Sequence, residues 1–332
     1  MKKILNEPFA YVDEMLDGLC AAHPEYYRKL GETGRAIARA AKPTPGKVGI
    51  VSGGGSGHLP VFTGYVGKGL LDACAIGDVF SSPSADQMAE AIRAADAGGG
   101  VLLLFGNYGG DVMNFEMAAE MVDMEDIRTA TVLVADDVAS AGPGERHRRR
   151  GVAGLVYAYK LAGAKAEAMA SLDEVAAVAR KAVDSCRSIG VALTPCTVPA
   201  AGRPTFEIGA GEMEFGMGIH GEPGVRRGPI RPADEIAEEM VTVLTKDMPL
   251  QPGDRVSVLV NSLGATPPEE LYIVYRYVSR RLAAMGVSTV MPLVGRYATS
   301  MEMAGMSLTI CRLDDELEAL LKAPCDCAFW RV

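Results

Sequence analysis

The chain has 332 residues, a formal net charge of -9, 48% apolar residues and 23% charged residues. That length and composition suit one large or two smaller soluble domains whose cores need no disulfide or metal staple. The acidic balance argues against a free-standing nucleic-acid binder, and no apolar run in the sequence is long enough to span a bilayer.

The first residues, Met1 to Pro8, hold two lysines but no apolar stretch after them, so no secretory signal is expected. Residues 10–41 carry apolar positions three and four apart and read as helical, up to the breakers Pro43, Pro45 and Gly46. Short apolar strands are expected at 47–51, 73–76, 101–105 and 131–135, with helices near 84–97, 112–124, 152–163 and 171–189. Continuous apolar strands separated by helices indicate a mostly parallel sheet covered by helices. In such sheets ligands gather at the carboxyl ends of the strands. All four strands end in small, polar or acidic residues, so a site built from those loops is expected.

Beyond Ser188 the pattern continues with strands at 191–199, 212–220, 255–261, 287–293 and 306–311 and helices at 232–246, 267–285 and 314–322. The expected fold is therefore α/β with two α/β domains. Residues 1–187 form the first, with the mostly parallel sheet, and residues 188–332 the second, of mixed character. Seven cysteines, an odd number without a C-x-x-C pair, point to reduced thiols in a cytoplasmic protein and to no zinc site.

Four places invite chemistry. Ser52-Gly53-Gly54-Gly55-Ser56-Gly57-His58 follows the first strand. Its glycines allow a ligand close to the backbone, yet it matches neither a Walker loop nor the dinucleotide G-x-G-x-x-G. That spacing also argues against a dinucleotide-dependent oxidoreductase. Asp111, just past the third strand, could cap a helix, act as general base toward a hydroxyl, or do both. His220, in Gly216-Met217-Gly218-Ile219-His220-Gly221-Glu222-Pro223-Gly224, is either a nucleophile with room for a ligand or a structural loop histidine. Asp136-Asp137 could hold a divalent ion but is by default a strand-end loop.

Two further patterns have blander readings. Met113, Met117, Met121 and Met124 form a helical stripe expected to pack in a core. The basic run Glu145 to Arg150 is expected to be a solvated loop, with an anion site as the minority reading.

Taken together and in order, several segments resemble one family. They are Gly53 to His58, Gly77-Asp78-Val79-Phe80-Ser81-Ser82-Pro83-Ser84, Asn107-Tyr108-Gly109-Gly110-Asp111-Val112-Met113-Asn114-Phe115 and Gly218 to Gly224, with Arg149 to Gly154 and Gly190 to Thr197 in support. The set resembles the substrate-binding (K) subunit of dihydroxyacetone kinases over nearly the whole chain.

The resemblance implies that His220 attacks a ketone carbonyl and holds a short ketose as a hemiaminal. It implies that Asp111 and His58 form the acid–base pair, and that Gly55, Ser56, Gly57, Ser82 and Gly106 border the substrate. No metal is implied on this chain. ATP or ADP with Mg²⁺ would sit on a separate nucleotide-binding subunit, in some systems recharged by a phosphotransferase-system donor. The chain would be a homodimer and a phosphotransferase only with that partner. A rival within the family is a ketose-binding coactivator or sensor without phosphotransfer.

Two positions depart from the family. Gly106 stands where many members carry lysine, and Leu59 where many carry glutamate. The loss of both suggests a changed preference, toward a four-carbon ketose such as erythrulose.

Overall fold

The computed structural model describes residues 2–332; Met1, the first residue of the expected amino-terminal domain, lies outside them. Helix α1 (Tyr11–Ala22) leads to strands β1 (Tyr27–Leu30), β2 (Ala36–Arg39), β3 (Gly49–Ser56) and β4 (Ala73–Val79). Then come α2 (Ala85–Ala95), β5 (Val101–Gly106), α3 (Gly109–Asp123), β6 (Thr129–Val134), α4 (Gly154–Glu167) and α5 (Leu172–Asp184). The rest of the chain gives β7 (Cys186–Ala192), β8 (Glu212–Phe215), β9 (Arg226–Pro229), α6 (Ala233–Asp247), β10 (Arg255–Ser262) and α7 (Pro268–Ala284). It ends with β11 (Ser288–Thr289), β12 (Leu293–Gly295), β13 (Gly305–Leu313) and α8 (Asp315–Lys322).

The first sheet has the order β1-β2-β4-β3-β5-β6. Its four later strands pair in parallel, and β1 and β2 add an antiparallel edge. The two faces are covered separately. Met88, Ile92, Phe115 and Val122 from α2 and α3 pack on one, and residues of α4, α5 and α8 on the other. Reciprocal caps start two of these helices: Ser84 with Gln87 at α2, and Ser171 with Glu174 at α5. The second sheet runs β11-β10-β13-β7-β8-β9, with β12 also on β10, and is antiparallel through its centre. Helices α6 and α7 bury their apolar stripes against it.

Four local expectations are corrected. Only 11–22 of the stretch 10–41 is helical. Pro24 follows the helix end, Gly31 and Gly34 take positive φ, and the segment pairs as a hairpin with Ile37 and Ala38 buried at the sheet edge. Spacings of three and four over so short a window fit either state, and sheet pairing decides. The helix expected to reach 189 stops at Asp184, and the strand expected at 191–199 is β7, buried along its whole length between β13 and β8. The strand expected at 212–220 ends at Phe215, leaving Met217 and Ile219 buried in a loop.

Of the methionine stripe only Met121 packs against the core, half-buried. Helix α3 buries Asp111, Phe115, Ala118 and Val122, whereas Met113, Met117 and Met124 are 58%, 51% and 88% exposed. Two positions along a helix is about 200° of rotation, so a stripe displaced by two faces the opposite way.

The basic run is partly solvated. Arg146 and Arg148 are exposed, but Arg149 is buried on Asp247 at 2.7 Å and Arg150 reaches Asp137 at 2.8 Å. Asp136 is engaged by the backbone N–H groups of Val152 and Gly154 and by the Ser188 hydroxyl, a structural use of that carboxylate. All seven cysteines are free. Among the described residues no helix is long and apolar enough to cross a membrane.

Candidate active site

The chain runs from β3 outward to β4 and then crosses to β5 on the other side of β3. Such a reversal opens a crevice between the carboxyl ends of the two strands. The loop after β3 carries Gly57 and His58, and the loop after β5 leads into α3 with Asp111. The loop after β4 brings Phe80 to Ser82 across the top. From the second sheet, the turn after β8 delivers His220 into the same space. The His58 and His220 ring centroids lie 4.9 Å apart, edge to face.

Glycine is required where the loops meet. A Cβ on Gly55 would strike the backbone of Phe80 and Ser81, at 2.6–2.7 Å. Gly57 has φ +104°, and a Cβ there would lie 2.8 Å from the Phe80 ring. Phe80 itself sits at φ 59°, a strained conformation for an aromatic residue. Its ring stacks on His58 at 5.0 Å and meets His220 at 5.3 Å.

His58 is buried, and its Nδ1 lies 2.7 Å from the Thr299 carbonyl oxygen. A carbonyl only accepts, so Nδ1 carries the proton and Nε2 presents a lone pair. That Nε2 is buried without a partner. Burial, reinforced by the neighbouring His220, pushes the His58 pKa down to about 3, so the ring is neutral.

Asp111 is not the N-cap. Tyr108 holds that position without a side-chain bond, and Asp111 lies within the first turn, buried, with Oδ1 lacking a partner. Burial raises its carboxyl to about 6, against the pull of the Ser82 hydroxyl and His220. Ser82 lies beside it, packed over Gly110. The Ser56 hydroxyl, at the end of β3, is a third buried polar group without a partner.

His220 is placed differently. It is half-buried, and its Nδ1 lies 3.0 Å from Glu222 Oε1, while its backbone N–H donates to Glu222 Oε2 at 2.9 Å. Nε2 is the ring nitrogen left for a ligand. Tyr108 packs edge-on to the ring at 4.7 Å. At Gly106 a Cβ would lie 3.1–3.2 Å from the Tyr108 ring, so Tyr108 fills the volume that a side chain at 106 would enter.

The expected residues therefore converge, and sequence reasoning missed their clasp. Residues 299–301, between β12 and β13, tie the two histidine loops together. Met301 N–H donates to the Gly57 carbonyl at 2.8 Å, the Thr299 hydroxyl to the Leu59 carbonyl at 3.0 Å, and the Ser300 hydroxyl to the Ile219 carbonyl at 2.5 Å. No local signal marks this segment. The carboxylate of Glu222, two residues from His220, could have been noticed by spacing alone.

Comparison with known proteins gives the family. Residues 17–329 match the Dak1 domain. This chain belongs to the Dak1 family. It is 49% identical over 331 residues to the dihydroxyacetone-binding subunit DhaK of the PTS-dependent dihydroxyacetone kinase 1 of Listeria innocua, covering 99% of this chain and 100% of that one. It is 44% identical to the L-erythrulose kinase of Pectobacterium atrosepticum, covering all of this chain but 56% of that longer one. Among solved structures, the C. freundii dihydroxyacetone kinase in complex with AMP-PNP and Mg²⁺ superposes with a TM-score of 0.88 at 31% identity, over 99% of this chain and 61% of that one. The dihydroxyacetone kinase operon co-activator DhaQ superposes with a TM-score of 0.87 at 33% identity, over 94% of this chain and 96% of that one.

Proposed function

We propose that this Dak1 chain is the substrate-binding subunit of a short-ketose kinase, holding the ketose as a hemiaminal on His220. The observation that supports it is a set of buried polar atoms without protein partners beside His220: His58 Nε2 and Tyr108 Oη, whose rings meet the His220 ring, and Asp111 Oδ1, with Ser56 Oγ on the strand that leads to His58. Buried polar groups are nearly always satisfied, so a cluster of unsatisfied ones around a nucleophile marks where a polyhydroxy ligand belongs.

In this reading the Nε2 lone pair of His220 forms a bond to the carbonyl carbon, and the carbonyl π pair moves to oxygen, which takes up a proton. Only a carbonyl compound can be held this way, so polyols are rejected by reactivity. The fixed adduct orients the terminal hydroxyl. Asp111, raised to about 6 yet largely ionised at neutral pH, takes the hydroxyl proton as the oxygen attacks phosphorus. His58 accepts a hydrogen bond from a substrate hydroxyl through Nε2, with Ser56, Ser82 and the glycine amides holding the other oxygens. A nucleotide with Mg²⁺ on a partner subunit supplies the phosphoryl group, whether as ATP or as ADP recharged by a phosphotransferase-system donor. The subunit works in the cytoplasm as a homodimer.

The second reading, a ketose-binding coactivator, draws on the structural likeness to the co-activator DhaQ. A buried carboxylate beside the nucleophile favours the kinase, because a sensor has no use for a base. As to substrate, Gly106 does not open free volume, because Tyr108 occupies it. A preference for erythrulose over dihydroxyacetone then depends on how Tyr108 shapes the wall beside His220.

The test is intact-protein mass spectrometry, with ¹³C NMR of carbonyl-labelled ketose, on the wild type and His220→Ala. Dihydroxyacetone, L-erythrulose and D-erythrulose are offered separately. A carbinol adduct on the wild type that is lost in the variant is expected, with erythrulose loading best. No adduct with any ketose would overturn the kinase reading; stronger loading by dihydroxyacetone would overturn the four-carbon preference alone.

A further inference from the structure

Glu222 is held in place from several sides. Its carboxylate lies over Gly218, where a Cβ would collide with Glu222 Oε2 and with Arg150 Nη1. Gly221, between the histidine and the glutamate, takes φ +84°, which turns the chain so that Glu222 folds back on His220. One carboxylate oxygen accepts the His220 backbone N–H and the other meets Nδ1 of the ring. Arg150 Nη1 stands 3.8 Å from Oε2, and Arg150 is itself held by Asp137, buried in the loop after β6. Asp137, Arg150, Glu222 and His220 thus form a line of alternating charge that ends on the reacting ring.

We propose that Glu222 is a positioning residue for ketose capture: it fixes the Nδ1–H tautomer of His220, leaves Nε2 as the attacking nitrogen, and provides the counter-charge when that ring becomes cationic. The proposal rests on the hemiaminal reading given above. The neutral ring gives its Nε2 pair to the carbonyl carbon, and the carbonyl oxygen gains one proton, delivered from solvent. The ring is left as an alkylated imidazolium that keeps its Nδ1 proton. A carboxylate on Nδ1–H strengthens the ring as a nucleophile and stabilises the cation it becomes. Glu222 is suited to this role. Against the upward push of burial, His220 and Arg150 pull its carboxyl down to about 2, so it stays ionised across any working pH.

The charged and titratable groups facing the His220 ring are His58 from the loop after β3, Asp111 and Tyr108 from the β5–α3 segment, Arg150 from the loop before α4, and Glu222 itself. Of these, Glu222 is the one in contact with Nδ1. Removing it therefore has two effects of different kind. Capture weakens, because the cationic adduct loses its counter-ion. Protonation of the free ring, which blocks attack, also becomes harder, so the acid limb of capture moves to lower pH.

The experiment measures ketose capture against pH by ¹³C NMR for the wild type, Glu222→Gln and Gly218→Ala. The second variant leaves the carboxylate in place chemically but displaces it from the ring. Both are expected to lose about 10- to 100-fold in apparent affinity, the range for a hydrogen bond to a charged group, with the acid limb shifted to lower pH. Glu222→Asp should recover part of both. Capture by Glu222→Gln equal to wild type, or weakened with the acid limb unmoved, would overturn the proposal. Absence of capture by the wild type would instead overturn the hemiaminal reading on which it rests.

Discussion

The two histidines of the site face each other at 4.9 Å and are prepared in opposite ways. His58 is buried, tied through Nδ1 to a neutral backbone carbonyl and stacked under Phe80. His220 is half-buried and tied through Nδ1 to a carboxylate. Both leave Nε2 without a protein hydrogen bond, yet only one is electrostatically suited to become a cation. A carbonyl partner fixes a tautomer and leaves a neutral hydrogen-bond acceptor; a carboxylate partner fixes the same tautomer and favours positive charge. In the proposed reading the same side chain serves to hold a hydroxyl in one place and to attack a carbonyl in the other.

The largest break in this comparison should come from a third group. Asp111→Asn keeps both histidines as they are but removes the proposed base. Turnover with the partner subunit should fall by about 10²- to 10⁴-fold, while capture on His220 persists. Coupled kinetics and intact mass on the same preparation check this. Unchanged turnover would remove Asp111 from the proton path, and no turnover in the wild type under any donor would favour the coactivator.

A smaller effect is expected at His58. In the proposed reading His58→Ala deletes one acceptor for the sugar but leaves the nucleophile, so the apparent Kd for capture should rise about tenfold, the value of one to two lost hydrogen bonds. Titration by NMR measures it. Complete loss of capture would mean that His58 takes part in forming the bond and does more than hold the substrate.

The smallest effect is on stability against pH, and here the two buried groups oppose each other. His58 has its folded pKa near 3 against an ordinary 6.5, so unfolded chains bind the proton first. Its contribution is complete above about pH 6.5 and is lost as pH falls toward 3. Asp111 is raised from 3.8 to about 6, so the folded chain holds the proton longer. Its burial costs stability above about pH 6, and the cost fades as pH falls through 6 toward 4. On acidification from pH 6.5 to 4, His58→Asn should therefore lose less Tm than the wild type, and Asp111→Asn should lose more. Calorimetric melts across that range give both signs; identical slopes in all three proteins would contradict the opposed linkage.

Much of this site is legible in the chain itself. Glycines at 55 and 57 mark positions where the Phe80 and Ser81 backbone and the Phe80 ring press on the chain, and only a residue without Cβ fits. Asp111 is visible as a carboxylate at a strand end, although its burial without a cap bond is not. The stretch 10–41 misleads because its apolar spacing suits a helix, whereas residues 27–39 find their partners at the edge of a sheet. The methionine stripe misleads for a related reason: periodicity shows that residues share a face and not which way that face turns.

By itself, then, the sequence determined the run of buried parallel strands, the glycine-rich strand ends, and the identity of the three side chains brought together there, because those depend on local pattern and on what a backbone without Cβ permits. Tertiary structure decided what each side chain can do. The clasp at Thr299–Met301 joins loops more than 150 residues apart in the chain and selects the tautomer of His58. The crossing of β5 over β3 sets Asp111 beside them, and the seat over Gly218 brings a carboxylate to His220. Protonation, tautomer and nucleophilicity follow from burial and from the partner each ring nitrogen meets, and these are properties of position in space.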